Sequence, residues 1–266
     1  MSSDDSIHLP THGEGLAEDL ARLDALERRR GALRALAGLG ALAALPLTVR
    51  GAGSCVVIED ETPGPFPADG TNGNGQGTIN VLTQKGIVRS DIRPSFGSFD
   101  GVATGVPLTV TLQLIDVRGG CASLAGHAIY VWHCDQLGRY SLYNLTTENY
   151  LRGLQKTDKQ GQVTFQTVFP GCYPGRWPHL HFETFLDRKL AKIGTNSQKT
   201  TQMALLAGPC KKVYDGDYGY TGSSEAFSHI TLATDSVFGD DDALHEQPVM
   251  KGNPKDGYTA TLSIGI

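Results

Sequence analysis

The stretch "QVTFQTVFPGCYPGRWPHLHFETF", residues 162–185, holds two alternating runs and the reversal between them. In the first run Val163, Phe165, Thr167 and Phe169 alternate with Gln162, Thr164, Gln166 and Val168. In the second, residues 179–185, His179 and His181 alternate with Leu180 and Phe182. Alternation with period 2 marks a strand, because successive side chains of a strand point to opposite faces. The "PGCYPG" between the runs is turn chemistry, since Gly and Pro supply the backbone angles a reversal needs. The stretch reads as strand, turn, strand. It aims His179 and His181 one way and turns Leu180 and Phe182 toward the core.

The same pattern recurs outward from this stretch. "PLTVTLQLIDV" (107–117), "HAIYVWHC" (127–134), "TTQMALLA" (200–207) and "TATLSIGI" (259–266) are rich in strand formers. The breaks "DQLG", "DKQG" and "KGNPKDG" carry turn residues. "SEAFSHITLATDSVF" (224–238) reads as a loop with a short strand. A chain of 266 residues with 33 Gly and 13 Pro suits a loop-rich all-β protein better than a helical one. The expected fold is an all-β, antiparallel β-sandwich with long loops, preceded by a helical export leader.

Residues 1–55 form that expected leader. Arg28, Arg29 and Arg30 precede an apolar run from Ala32 to Val49, broken by Arg34. The run is too short and too weakly apolar for a membrane span, and the paired arginines resemble a twin-arginine export signal. The alternative is a basic amphipathic helix belonging to the fold. "GAGSC" (51–55) resembles a lipoprotein cleavage box with a lipid anchor at Cys55; a free or disulfide-bonded Cys55 stands beside that reading. Residues 56–77, rich in Gly, Pro, Asn and Asp, read as a linker or extended arm on the surface. Residues 78–266 then form one domain. A net charge of −5 with no extended basic run in the body argues against a nucleic-acid partner.

The cysteines stand at 55, 121, 134, 172 and 210. With Cys55 in the leader, four remain. An even count in an exported protein reads as two disulfides; the alternative is separate buried thiols in a cytosolic one.

The chemistry gathers around the opening stretch. Two neutral imidazoles on one strand face can clamp a first-row metal ion, although an isolated His-x-His serves equally as two histidines on an open sheet. Tyr173 sits in the turn just upstream, and Tyr140 follows the "DQLG" turn, with Tyr143 as its rival. Two phenolates with two imidazoles suit Fe(III) better than zinc or calcium. Arg176 adds positive charge beside them. The acidic "GDDD" (239–242) reads as a solvated loop rather than a calcium site, His133 points opposite to Trp132 and is not read as a ligand, and His229 and His245 lack partners that the sequence can supply.

In "VWHCDQLGRYSLY", "LRGLQKTDKQGQVTFQTVFPGCYPGRWPHLHFE" and "TTQMAL" the chain resembles the intradiol ring-cleavage dioxygenases over about residues 78–240. The resemblance implies a non-haem Fe(III) centre held by Tyr140, Tyr173, His179 and His181. It implies Arg176 and Gln202 near the substrate, and Tyr173 as the ligand that accepts a proton as it leaves. The implied reaction cleaves a catechol-type aromatic diol with O2 between its two hydroxylated carbons, giving a muconate-type diacid. With both tyrosines meeting at one metal, strand direction suggests the disulfides Cys134–Cys172 and Cys121–Cys210. A rival reading is a non-catalytic exported binding module for an aromatic or carbohydrate ligand. The particular catechol and the oligomeric state stay open.

Overall fold

In the computed structural model the described residues are 55–266. The arginine run at 28–30 and the rest of the expected leader before Cys55 lie outside them. Among the described residues the first strands form a hairpin, β1 (Asp69–Gly73) and β2 (Thr78–Asn80). Then follow β3 (Pro107–Asp116), β4 (Ala122–Ser123), β5 (Ala128–Trp132), β6 (Arg152–Lys156), β7 (Gln162–Val168), β8 (His179–Phe185) and β9 (Lys199–Ala204). Two short helices, α1 (Ala207–Tyr214) and α2 (Ser223–Ser228), precede β10 (Val249–Asn253) and β11 (Gly257–Gly265).

The strands make two sheets. One runs β10–β11–β3–β7, with the two-residue β4 pairing the far end of β3. The other runs β6–β5–β8–β9 and is antiparallel throughout. β3 shows why the sequence was readable. Leu108, Val110, Leu112 and Leu114 are buried, while Thr109, Thr111 and Gln113 between them are half-buried. Each such burial is worth about 1.5–3 kcal/mol, so a one-residue slip in register would be costly. The all-β, largely antiparallel expectation holds, with one difference. β11 lies parallel to β3 from Tyr258 beside Leu108 to Gly265 beside Ile115. Parallel neighbours need a long crossover, and here the whole second sheet and both helices intervene.

The second sheet is covered on both faces. All seven residues of β8 are buried, as are all five of β5. Ala128, Tyr130 and Trp132 of β5 and Phe185 of β8 belong to a cluster that includes Ala68, Leu82, Ile87, Tyr140 and Leu142. Residues 58–69 are therefore not a surface linker. Glu61, Thr62, Ala68 and Asp69 are buried, and Phe66 packs on Tyr140 and Tyr143 with ring centroids 4.9 Å away in each case.

The cysteine pairing differs from the expectation. Cys55 is bonded to Cys121, with Cα atoms 5.6 Å apart, and Cys134, Cys172 and Cys210 are free and buried. The expected Cys134–Cys172 and Cys121–Cys210 pairs are not formed. The reason is local. The β9 strand ends at Ala204 and the chain turns into α1, so Cys210 never travels to the far end. Cys121 sits in the exposed β3–β4 turn, which the start of the arm reaches through Ile58 N–H donating to the Gly265 carbonyl at 3.0 Å.

Candidate metal centre

β8 delivers two donors from one face. His179 and His181 are two residues apart, and their Nε2 atoms approach to 3.1 Å. Each ring is fixed from behind. His179 Nδ1 lies 2.5 Å from the Trp177 carbonyl, which can only accept, so Nδ1 carries the proton and Nε2 keeps its lone pair. His181 stacks on Trp132 at 4.9 Å and 5°. Trp132, 0% exposed, is thus buried packing behind a ligand candidate rather than a platform for substrate.

The two phenols come from turns. Asp135 organises the first. Its carboxylate accepts from the Leu137 and Arg139 amides at 2.8 and 3.0 Å and from the Arg139 side chain at 2.7 and 2.9 Å. This turn carries Tyr140, whose amide donates to Asn144 Oδ1 at 2.8 Å. Gly138 stands at φ +76° in the same turn, and a Cβ there would come within 3.2 Å of Tyr173 Cβ, so only glycine suits it. Tyr173 lies in the "PGCYPG" turn, held where the Cys172 amide donates to Ser223 Oγ at 3.0 Å.

The four side chains meet. Tyr140 Oη is 3.3 Å from Tyr173 Oη, 3.5 Å from His179 Nε2 and 3.2 Å from His181 Nε2. Tyr173 Oη is 3.3 Å from His179 Nε2. Metal–nitrogen and metal–oxygen bonds of about 2.0–2.1 Å set neighbouring donors roughly 3–3.5 Å apart, so the spacing fits one ion. Among the described residues no group of three or more His, Cys, Asp and Glu could hold a metal. The phenols are what make the imidazole pair a site. Tyr143 is elsewhere: its hydroxyl contacts the Ala68 amide at 2.9 Å and Asn72 Oδ1 at 2.7 Å.

Electrostatics agree with a cation. Burial, then the Arg176 charge, holds His179 well below the usual imidazole range. Burial, then His179, does the same to His181. Both rings are neutral donors. Burial, then Tyr173, pushes the Tyr140 phenol well up, so its deprotonation needs a strongly charged partner in the dry site. His181 Nδ1 is buried with no hydrogen-bond partner among the described residues, so the polar worth of that ring lies on its Nε2 side. Hard phenol oxygens beside imidazoles fit ferric iron.

Arg176 is 1% exposed and tightly held. Its Nε donates to Asp235 Oδ2 at 3.1 Å and its Nη2 to Gln202 Oε1 at 2.6 Å. Gln202 in turn donates through Nε2 to the Thr62 carbonyl at 2.8 Å. The expectation for Gln202 changes accordingly: both ends of its amide are engaged, one by Arg176 and one by the arm, so it positions Arg176. Asp235 was not foreseen. It accepts from Arg176, from the Trp177 amide at 2.6 Å, and from the Val237 and Phe238 amides at 2.8 and 2.9 Å. Its sequence signal was a lone acid in "TLATDSVF". Arg152 was also missed. It is buried, grips Ser141 Oγ at 3.1 Å and the Ser141 carbonyl at 2.9 Å, and donates to the Pro67 carbonyl at 3.0 Å. It thereby ties the residue after Tyr140 to the arm. His133, as expected, is no ligand: its ring nitrogens meet the Cys134 carbonyl and Thr167 Oγ1, each at 2.7 Å.

Comparison with known proteins bears on the family and the fold. The profile of the family described as Dioxygenase matches residues 89–204, a span that contains Tyr140, Tyr173, Arg176, His179, His181 and Gln202. The structure is similar to the intradiol ring-cleavage dioxygenase of Tetranychus urticae, with a TM-score of 0.58 and 23% identity over 80% of this chain and 95% of that one. It is also similar to the catechol 1,2-dioxygenase of Pseudomonas arvilla C-1, with a TM-score of 0.48 and 16% identity over 96% of this chain and 70% of that one. No curated protein matches the sequence.

Proposed function

We infer that this chain, matched by the dioxygenase profile over residues 89–204 and similar in fold to an intradiol ring-cleavage enzyme, belongs to that family and opens catechol-type aromatics between their two hydroxylated carbons. The observation that carries this reading is the convergence of Tyr140, Tyr173, His179 and His181 at 3.1–3.5 Å, with Arg176 beside them.

Those four residues would hold ferric iron. When bound, the iron supplies a Lewis acid that draws electron density from a catecholate and lets its ring react with O2. The chain's own contributions follow from the geometry. His179 and His181 stay neutral and fixed by the Trp177 carbonyl and the Trp132 ring. Tyr140 is 2% exposed, wedged against Phe66, and has no room to leave. Tyr173 is half-buried in a Gly/Pro turn, so of the two tyrosines it is the one that can move aside. As a phenolate, its Oη could take the proton of an arriving catechol hydroxyl and become a neutral phenol. Arg176, held by Asp235 and Gln202, can stabilise negative charge that develops on the substrate. Phe66 and Trp132 exclude water from the donors' far side.

The test is a pair of variants. Tyr140→Phe should abolish iron binding, the visible ferric-phenolate band and oxygen uptake with catechols. Tyr143→Phe should keep all three. Full colour and uptake in Tyr140→Phe would overturn the ligand set.

Export is part of the same reading. Arg28–Arg30 with the apolar run behind them support a twin-arginine-like route, and the Cys55–Cys121 bond supports an oxidising destination. Replacing Arg28, Arg29 and Arg30 with Lys should leave the folded protein in the cytoplasm. Unchanged export in a fractionation assay would exclude that route.

A further inference from the structure

The metal donors sit at one end of the second sheet, and two hollows lie at the other. His181 of β8 pairs with Trp132, whereas Phe185 pairs with Ala128, and Ala128 also pairs with Lys156 at the end of β6. Strand rise puts Phe185 about 20 Å from His179. Beyond Phe185 the chain turns through residues 186–193. There a hollow of about 520 Å³ is lined by Gly126, Lys156, Asp187, Arg188, Lys189 and Lys192. A second, of about 360 Å³, shares Arg188 and Lys192 and adds Lys85.

The charge of this end is unusual for the chain. The protein carries a net −5, yet five cations gather here with one acid. Lys85, Lys156, Arg188, Lys189 and Lys192 are all exposed, and among the described residues none of them is in an ion pair. The acid is already engaged: Asp187 Oδ1 accepts the Lys189 and Leu190 amides at 2.6 and 3.0 Å, which bends the loop and presents the basic side chains. Gly126, at φ +89°, lies beside the Lys156 stem, which would be 3.6 Å from a Cβ there. Like charges held close without partners repel one another, a cost that an anionic ligand removes.

We propose that these adjoining hollows, lined by Lys85, Lys156, Arg188, Lys189 and Lys192, bind a segment of a linear acidic polysaccharide, at a site separate from the metal centre. Five cations spread over two connected hollows exceed what one small anion can neutralise, so a ligand with repeated anionic groups fits. The cations line concavities rather than a flat face, which favours a chain over a membrane surface. No aromatic ring lines either hollow, so there is no platform on which nucleic-acid bases could stack. The anionic groups can be carboxylates or sulfates; both suit Lys and Arg. Occupancy would hold the enzyme on an anionic matrix while the far end of the sheet stays open to small aromatics.

The experiment titrates the full protein with polygalacturonate and with heparin, with neutral dextran as control, at several salt concentrations. Binding should weaken steadily with salt, as screening requires. Arg188→Ser/Lys192→Ser should lower affinity about tenfold, which is about 1.4 kcal/mol for the two lost charge contacts together. Lys251→Ser/Lys255→Ser removes the same charge from the exposed β10–β11 hairpin and should change affinity less than about twofold. Binding of polygalacturonate alone, heparin alone or both, with that variant pattern, supports the site and identifies the anionic group. Equal loss in the two double variants would mean diffuse net charge and overturn it. So would the absence of binding, or binding only to a single-stranded oligonucleotide or to phosphatidylglycerol vesicles. Ring cleavage of a soluble catechol, measured in parallel, should be unchanged by Arg188→Ser/Lys192→Ser. The binding result stands or falls without reference to that activity.

Discussion

Asp235→Asn is the substitution most sharply constrained by the structure. Asp235 is buried with Arg176, at 0% and 1% side-chain exposure, and the pair is 3.1 Å apart. Its Oδ2 accepts from Arg176 Nε and the Trp177 amide, and its Oδ1 from the Val237 and Phe238 amides. Asparagine keeps one accepting oxygen and puts an NH2 where the other stood. Two donors then face a donor, whichever way the amide turns. A hydrogen bond to a charged group is worth about 1.5–3 kcal/mol, and breaking one side of a buried pair costs about 3–5 kcal/mol. We expect a loss of about 3–5 kcal/mol in urea unfolding, and for a fold of this size a fall in Tm of about 6–20 °C. Arg176→Met should cost a similar amount alone. The double variant should cost less than the sum by about 1 kcal/mol or more, because neither charge is then stranded. Asp235 touches none of the four donors, so the folded Asp235→Asn protein should still take up iron. A loss under about 1 kcal/mol, or strict additivity in the cycle, would refute the claim that the pair fixes Arg176.

The remaining predictions address the arm and its bond. Burial, reinforced by Glu61, raises the Glu246 carboxyl to about 9 from 4.5, so its contribution to stability is present below about pH 4.5 and is lost as pH rises toward 9. Glu246→Gln keeps an acceptor for Thr201 Oγ1, now 3.1 Å from Oε1, and should therefore match the parent at pH 4 and exceed it by about 4–5 kcal/mol at pH 8. Equal urea midpoints at both pH values would contradict this. Cys55→Ser opens a link across 66 residues and should cost about 2–4 kcal/mol. Peptide mapping of the non-reduced parent should join Cys55 to Cys121 and find Cys134, Cys172 and Cys210 open to alkylation only after denaturation.

The parts of the site that were legible in the sequence share one property: their signals are local. The strand 179–185 was bounded correctly because alternation and the Pro/Gly turn before it sit within one window. His179, His181 and Tyr173 fall inside that window, and Tyr140 follows a four-residue turn. The same locality explains what failed. A disulfide joins residues by position in space, and the pairing was inferred by extending β9 through residues that in fact begin α1. "LLAGPCKKVY" carries no N-cap side chain to announce a helix, and none is found: the N-cap is Leu206, with no side-chain capping bond.

Asp235, Arg152 and Thr62 mark a second limit, and it is one of function rather than fold. Each acts through another residue: Asp235 on Arg176, Arg152 on the Tyr140 turn, and Thr62 on Gln202 through a backbone carbonyl that no side-chain pattern can advertise. In sequence Asp235 is 59 residues from Arg176 and Thr62 is 140 from Gln202. The composition of residues 56–77 suggested a linker because Gly, Pro and Asn usually mean solvated chain. Here the same residues let the backbone lie flat on the second sheet and offer carbonyls to it: Pro67 accepts from Tyr130 Oη at 2.8 Å and from Arg152. A polar, turn-rich segment satisfies its hydrogen bonds either with water or with a surface that has unmet donors. Tyr130 Oη, Arg152 and Gln202 Nε2 are such donors, and burying them without the arm would take away the carbonyls that Tyr130 Oη and Gln202 Nε2 donate to and one of the acceptors of Arg152. The arm is accordingly as much a part of the site's frame as the strand that bears the histidines.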